Sequence, residues 1–331
     1  MSLNQPPTLA KEPHLSSISS PAAQPAAPVL VTGAHRTGTT WVGKMLAATS
    51  QAAYISEPLN VHHRPGVFAA PVSRWYTYIY SGNEDQYLPA YNRLLQLKYG
   101  LGRELPALRS GKDLLRMGRD LWIFWSGQLQ QSRPLVKDPF AVFSIPWFIE
   151  RLGMRVVVTV RHPAAFASSL MRLNWPFQFE DLLAQPALME DWLEPYQAEI
   201  EAALARPDDI LQHACLLWTM IYAVVKRLEQ RGLPIEVVRH EDLSRAPLEG
   251  FEHLYATLNL EFTPRARQAV LSSSSADNPT ERSRQAVHTV QLDSRANLNN
   301  WKKRLSAEEI ERIRRLTGSA AERYYQEADW L

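Results

Sequence analysis

Residues 28–46, Pro-Val-Leu-Val-Thr-Gly-Ala-His-Arg-Thr-Gly-Thr-Thr-Trp-Val-Gly-Lys-Met-Leu, constrain this chain more than any other stretch. A short apolar strand over 29–31 feeds a turn containing Gly33 and Gly38, then Thr39 and Thr40, then an apolar helix. Such a junction is an anion site. The first amides of a helix lack intrahelical partners and lie at the positive end of its dipole. Gly33 and Gly38 let the backbone come close to a phosphate, and the two threonine hydroxyls add donors.

The Gly33-x4-Gly38 spacing matches the first part of a Walker A loop, but Thr39 stands where lysine would follow. The cation lies inside the loop instead, at Arg36. A P-loop kinase or nucleotidase wants that lysine and a magnesium-binding hydroxyl beside it. The loop therefore reads as a phosphate cradle without that equipment, which places a kinase second. A nucleotide-binding module without turnover is the non-enzyme alternative.

Runs rich in β-branched residues over 29–31, 135–136, 155–160 and 235–238 alternate with helical periodicity over about 113–130, 163–173, 208–231 and 247–258. Asp208 is the expected cap and Gly232 the stop of the third helix; Ser306-Ala-Glu-Glu309 reads as a capping box, with Gly318 as terminator. The run Arg-Val-Val-Val-Thr-Val at 155–160 has the pattern of a strand covered on both faces. Alternation of this kind gives an α/β fold, a doubly wound parallel sheet flanked by helices. With 331 residues and no strong linker after residue 28, a single domain over 28–331 is expected, preceded by a disordered Pro/Ser/Ala/Gln-rich tail at 1–27.

Ligands of such sheets gather beyond the carboxyl ends of the strands. The residues found there are Arg36 in the first loop, Lys137-Asp138-Pro139-Phe140, Arg161-His162-Pro163 and Arg239-His240-Glu241-Asp242. Four cations converging on one edge call for a polyanion, and a nucleotide with more than one phosphate fits best. A net charge of +2 with dispersed basic residues argues against nucleic acid, and the clusters Lys302-Lys303-Arg304 and Arg312 to Arg315 read as solvated helix faces. The lone Cys215 excludes an intramolecular disulfide, and no CxxC or HExxH spacing calls for a metal. No run approaches 18 apolar residues, so no integral membrane segment is expected, and the simplest location is the cytoplasm.

With these pieces in place the chain resembles a sulfotransferase that uses 3′-phosphoadenosine-5′-phosphosulfate (PAPS). His35-Arg-Thr-Gly-Thr-Thr-Trp41 is similar to the 5′-phosphosulfate loop of that superfamily, with Arg36 where the carbohydrate and tyrosylprotein branches carry arginine. Arg161 and Ser169, eight residues apart, resemble the 3′-phosphate element. Glu57, 21 residues after Arg36, Lys137-Asp-Pro-Phe140, and Glu281-Arg-Ser283 with Trp301 resemble segments of the tyrosylprotein-like branch. Arg239-His-Glu-Asp-Leu243 departs from that family's Tyr-Glu-Asp-Leu by His240.

The resemblance implies sulfuryl transfer from PAPS, without a metal, to an acceptor hydroxyl on a saccharide, lipid, small metabolite or peptide tyrosine. It implies Glu57 as general base, Arg36 and Lys137 as the cations at the bridging and sulfuryl oxygens, and Ser283 as a further sulfuryl contact. His35, Arg36, Thr37, Gly38, Thr39 and Thr40 would hold the 5′ end, Trp41 would support adenine, Arg161 and Ser169 would hold the 3′-phosphate, and Arg295 would close over the nucleotide. Competing readings are a structural salt bridge for Glu57 or Lys137, helix packing for Trp41, local packing for His35 and His162, and Ser168 in place of Ser169. The aromatic run 74–80 either lines the acceptor site or belongs to the core. Expected partners are a small-molecule or glycan acceptor, with no nucleic acid; a homodimer is compatible with the sequence.

Overall fold

The computed structural model describes residues 26–281 and 290–331. Five parallel strands, β1 (Val29–Gly33), β2 (Ala52–Ser56), β3 (Arg133–Lys137), β4 (Arg155–Val160) and β5 (Ile235–Arg239), pair in the order β2-β3-β1-β4-β5. At the centre, β1 places Val31 opposite Lys137 of β3 and Gly33 opposite Thr159 of β4. After β1 the chain winds to one side through β2 and β3, then to the other through β4 and β5. The carboxyl edge therefore opens on either side of β1, where this topology binds its ligands.

Alternate side chains of the strands feed two separate cores. Val29, Val31, Leu135 and Val157 pack on one face with Trp41, Val42 and Leu46 of helix α1 (Thr39–Leu46). Leu30, Val136, Val156 and Val158 pack on the other. The longer helices that follow are α2 (Gly111–Leu129), α3 (Pro163–Leu173), α4 (Ile210–Gln230), α5 (Pro247–Thr257) and α6 (Ala307–Ala321). Phe251, Leu254 and Tyr255 of α5 join the α1 side, while Trp218 and Tyr222 of α4 fill the opposite core. Burial on both faces is what the uninterrupted valines of β4 require.

Three local expectations need correction. Strand β2, Ala-Ala-Tyr-Ile-Ser, was not anticipated; it pairs along its whole length with β3. The cap of α4 is Asp209, whose Oδ1 accepts from Gln212 N at 3.1 Å, rather than Asp208. Helix α6 has the Ser306–Glu309 capping box but runs through Gly318 to Ala321. Cys215 is buried on α4, and burial pushes its thiol up to about 12. Of the tail assigned to 1–27, residues 1–25 lie outside the described residues. Among the described residues no helix is long and apolar enough to cross a membrane.

Candidate active site

The loop between β1 and α1 is shaped by tight contacts. A Cβ on Gly33 (φ 134°) would lie 2.3 Å from the Thr159 carbonyl oxygen, so only glycine lets β1 and β4 close at this point. Tyr222 donates to that same carbonyl at 2.8 Å and accepts from Ala34 N at 3.3 Å. Thr37 is fully buried and spends its hydroxyl on the Ala34 carbonyl (2.5 Å) and Thr159 Oγ1 (2.8 Å). It shapes the loop rather than facing a ligand. Gly38, at φ 100°, is the N-cap of α1, and no side chain caps the helix start.

On the β4 side of the loop lies a pocket lined by Arg36, Gly38, Arg161, Ser169, Arg172 and Arg304, together with His240, Glu281, Leu292 and Asn297. Arg36 Nε donates to Ser169 Oγ at 3.3 Å, and an Arg161 NH group donates to the Arg36 carbonyl at 3.2 Å. Arg304 reaches Ser168 Oγ at 3.4 Å and pairs with Glu281. Burial holds Arg161 below the usual arginine range; Glu241 opposes this, and the nearby Arg304 and Arg172 add to it. Four guanidinium groups and a serine around one pocket form a site whose internal repulsion an anion relieves.

On the β2–β3 side stands an acid–base pair. Glu57 directly follows β2, and its backbone N–H donates to the Lys137 carbonyl at 2.7 Å. Lys137 Nζ pairs with Glu57 Oε1, and Asn60 Nδ2 donates to Oε2 at 2.7 Å. The Lys137 side chain is 1% exposed and that of Glu57 18%. Burial pulls the Lys137 ammonium down, but Tyr54, Glu57 and Asp138 outweigh it and leave it above its ordinary value. Buried Asp138, raised to about 7 mainly by burial, accepts from Leu59 N (2.5 Å) and Phe140 N (3.0 Å), tying the loop after β2 to the end of β3. Glu57, Lys137 and Thr40 line one cavity of about 630 Å³, with Arg116, Arg119 and Phe124 of α2 on another wall.

Arg36 (φ 69°), Glu57 (φ 52°) and Tyr76 (φ 56°) all adopt the left-handed backbone region. That conformation costs a non-glycine residue of order 1 kcal/mol and is held here by surrounding contacts. Tyr76 is buried and its hydroxyl lies 2.8 Å from His35 Nδ1. Burial, then the neighbouring Arg36, lowers His35 to about 3, so its ring is neutral near pH 7. His35 lines a second cavity, of about 540 Å³, walled by Trp75, Phe140, Trp175 and Phe177. The aromatic run 74–80 therefore divides: Trp75 faces a cavity, whereas Tyr76 and Tyr78 are buried in the core.

Neither Trp41 nor Arg295 lines the arginine pocket, although Trp41 borders a small pocket beside it that shares His240, Leu292 and Asn297. Trp41 is buried between Phe251 and His240 and donates to Ser273 Oγ at 2.8 Å, a helix-packing position. Arg295 donates twice to the Arg245 carbonyl, at 3.2 and 2.9 Å. Ser283 lies outside the described residues. Two arginines of the pocket had no such role in the sequence reading. Arg172 follows Ser169 by three residues on α3, a spacing that puts both on one helix face and so could have revealed it. Arg304, read as part of a solvated cluster, is delivered by the chain's return after residue 290 and has no local signal.

His162 is also neutral, lowered to about 3 mainly by burial. Its Nδ1 accepts from Ala164 N at 3.3 Å, capping α3, while its ring stacks on Trp301. An unfolded histidine takes up a proton near 6.5, so below that pH the unfolded chain binds one proton more than the folded chain at this residue, and acidification costs stability. His162→Asn keeps a capping acceptor without that proton site. Chemical denaturation from pH 7 to 5 should show wild type losing about 1.4 kcal/mol per pH unit below 6.5 relative to the variant.

The sequence matches the model of the sulfotransferase family over residues 28–264. The chain belongs to the sulfotransferase family. Solved structures similar to this sulfotransferase include the sulfotransferase domain of the Synechococcus PCC 7002 olefin synthase, at 18% identity and TM-score 0.45, covering 93% of this chain and 98% of that one. STF9 from Mycobacterium avium follows at 13% identity and TM-score 0.45, covering 92% and 78%. Mouse SULT7A1 complexed with PAP shares 9% identity at TM-score 0.42, covering 90% and 85%. No curated protein matches the chain. Among the described residues, no group of three or more His, Cys, Asp or Glu could hold a metal ion.

Proposed function

We propose that this sulfotransferase moves a sulfuryl group from PAPS to an acceptor hydroxyl, with Glu57 as general base. One observation carries the reading. On a single sheet edge a four-arginine pocket lies on one side of the phosphate loop, and a carboxylate–lysine pair lies on the other. A donor with a phosphate at each end of its ribose fits that polarity. Its 3′-phosphate would lie among Arg161, Ser169, Arg172 and Arg304, and its 5′-phosphosulfate over Gly38 and the first amides of α1. The donor supplies an activated S–O bond to phosphate, which breaks as the acceptor oxygen bonds to sulfur.

The side chains divide the remaining work. Glu57 takes the acceptor's proton, and Lys137, released from Glu57, turns its charge to the moving SO3. Arg36 bears on the departing phosphate, and Thr40 borders the same cavity as Glu57. Ser283 is assigned to the sulfuryl oxygens by the family resemblance alone. Binding by a module without turnover would need the arginines but not a carboxylate held against a buried lysine.

A thermal-shift panel tests the donor. The product nucleotide, 3′-phosphoadenosine 5′-phosphate (PAP), should raise the melting temperature by several degrees at 100 times its Kd, which corresponds to about 2.7 kcal/mol. ATP with magnesium should raise it far less. A larger shift with ATP and magnesium than with PAP would return the chain to the kinase reading.

A further inference from the structure

Helix α2 is capped in the ordinary way: Ser110 Oγ accepts from Asp113 N at 3.3 Å. Its burial pattern is unusual. The face turned inward carries Met117, Asp120, Phe124 and Gly127, whereas the outward face carries Leu114, Leu115, Leu121, Trp122, Trp125 and Leu129. At 100° per residue these six fall within an arc of roughly 120°, the width of a face that normally packs on a core. They are exposed: Leu115 by 77%, Leu129 by 71%, Trp122 by 63% and Trp125 by 52%. The two indoles lie against each other with ring centroids 5.2 Å apart, forming one continuous apolar surface. Scattered exposed leucines need no explanation, but a contiguous stripe does.

The flanks say what covers it. Lys112 and Arg119 flank the stripe on α2 and Arg109 immediately precedes the helix cap Ser110, all three exposed. Asp113 and Asp120 pair with Arg116 and Arg119. Among the described residues Arg109 and Lys112 have no carboxylate partner. Tryptophan and leucine on one side with unpaired cations beside them are complementary to a negatively charged lipid interface.

We infer that the outer face of α2 docks this enzyme on anionic membrane surfaces, with Trp122 and Trp125 seated at the headgroup level. The inner side of the same helix walls the cavity that holds Glu57, so docking places that cavity one helix behind the membrane surface. The attachment is interfacial, needs no spanning helix and is independent of which donor the enzyme uses.

Flotation with phosphatidylcholine vesicles, with and without phosphatidylglycerol, tests this on the full chain, alongside light scattering after size exclusion. Wild type should float with the anionic vesicles, and Trp122→Ala/Trp125→Ala should lower partitioning by about tenfold or more. Both positions are more than half exposed, so the melting temperature should stay unchanged. If that variant misfolds, Arg109→Glu/Lys112→Glu serves instead and should remove the preference for anionic vesicles. Wild type that stays with neither vesicle, or floats equally with both, overturns the proposal. So does a wild-type dimer that becomes monomeric in Trp122→Ala/Trp125→Ala, since the stripe is then a self-association face.

Discussion

Replacing Glu57 by glutamine should lower turnover by about three orders of magnitude, within the range for loss of a positioned general base, while PAP affinity changes by less than about threefold. The same substitution carries a structural cost that has to be separated from it. Lys137 is almost wholly buried, and Glu57 is its partner. Removing one member of a buried pair leaves an uncompensated charge, at a cost of about 3–5 kcal/mol. Glu57→Gln should therefore melt several degrees below wild type. The double variant Glu57→Gln/Lys137→Met removes the orphaned ammonium and should recover most of that loss, because a buried pair can be replaced by apolar groups nearly without penalty. Turnover should stay at the level of the single variant or below. Recovery of activity along with stability would show that neither Glu57 nor Lys137 takes part in the chemistry. Full activity in the single variant would remove it from the chemistry.

The parts legible in the sequence were those encoded locally. The loop from Gly33 to Thr40 combines strand, glycines and helix start within one short stretch, and the β-branched run of β4 shows a strand buried on both faces. The doubly wound sheet follows from such alternation. Strand β2 was hidden because it opens with two alanines, poor strand formers, and lies at the sheet edge, where its pairing with β3 supplies the order that its own propensity does not. Once β2 is seen, Glu57 too becomes a residue just past a strand end, so all five strands deliver polar groups to one edge. Arg304 was illegible for a different reason. A Lys-Lys-Arg run gives no sign of which cation turns inward, and the contact with Ser168 spans 136 residues. Trp41 shows the converse: adjacency to the loop suggests a ligand contact, but helix geometry turns its indole to Ser273.

Arg161→Ala should sharply reduce discrimination between PAP and 5′-AMP. The two ligands differ only in the 3′-phosphate, so their affinity ratio isolates the groups that touch it. A guanidinium forking onto phosphate makes charge-assisted bonds worth about 1.5–3 kcal/mol each. Loss of Arg161 should thus weaken PAP by about 100-fold or more in calorimetric titrations, and 5′-AMP by much less. Some effect on both is expected, because Arg161 also donates to the Arg36 carbonyl and so steadies the loop. That contribution cancels in the ratio. Arg161→Lys keeps the charge but loses the fork and should fall between. Arg304→Ala should act in the same direction with smaller amplitude, since Arg304 is 26% exposed and already shared with Glu281. Equal weakening of both nucleotides by Arg161→Ala would confine its role to shaping the loop. Equal affinity of the wild type for both would take the 3′-phosphate out of this pocket altogether. The anion cradle at the start of α1 would still stand, because it rests on Gly33, Gly38 and uncapped amides rather than on the arginines.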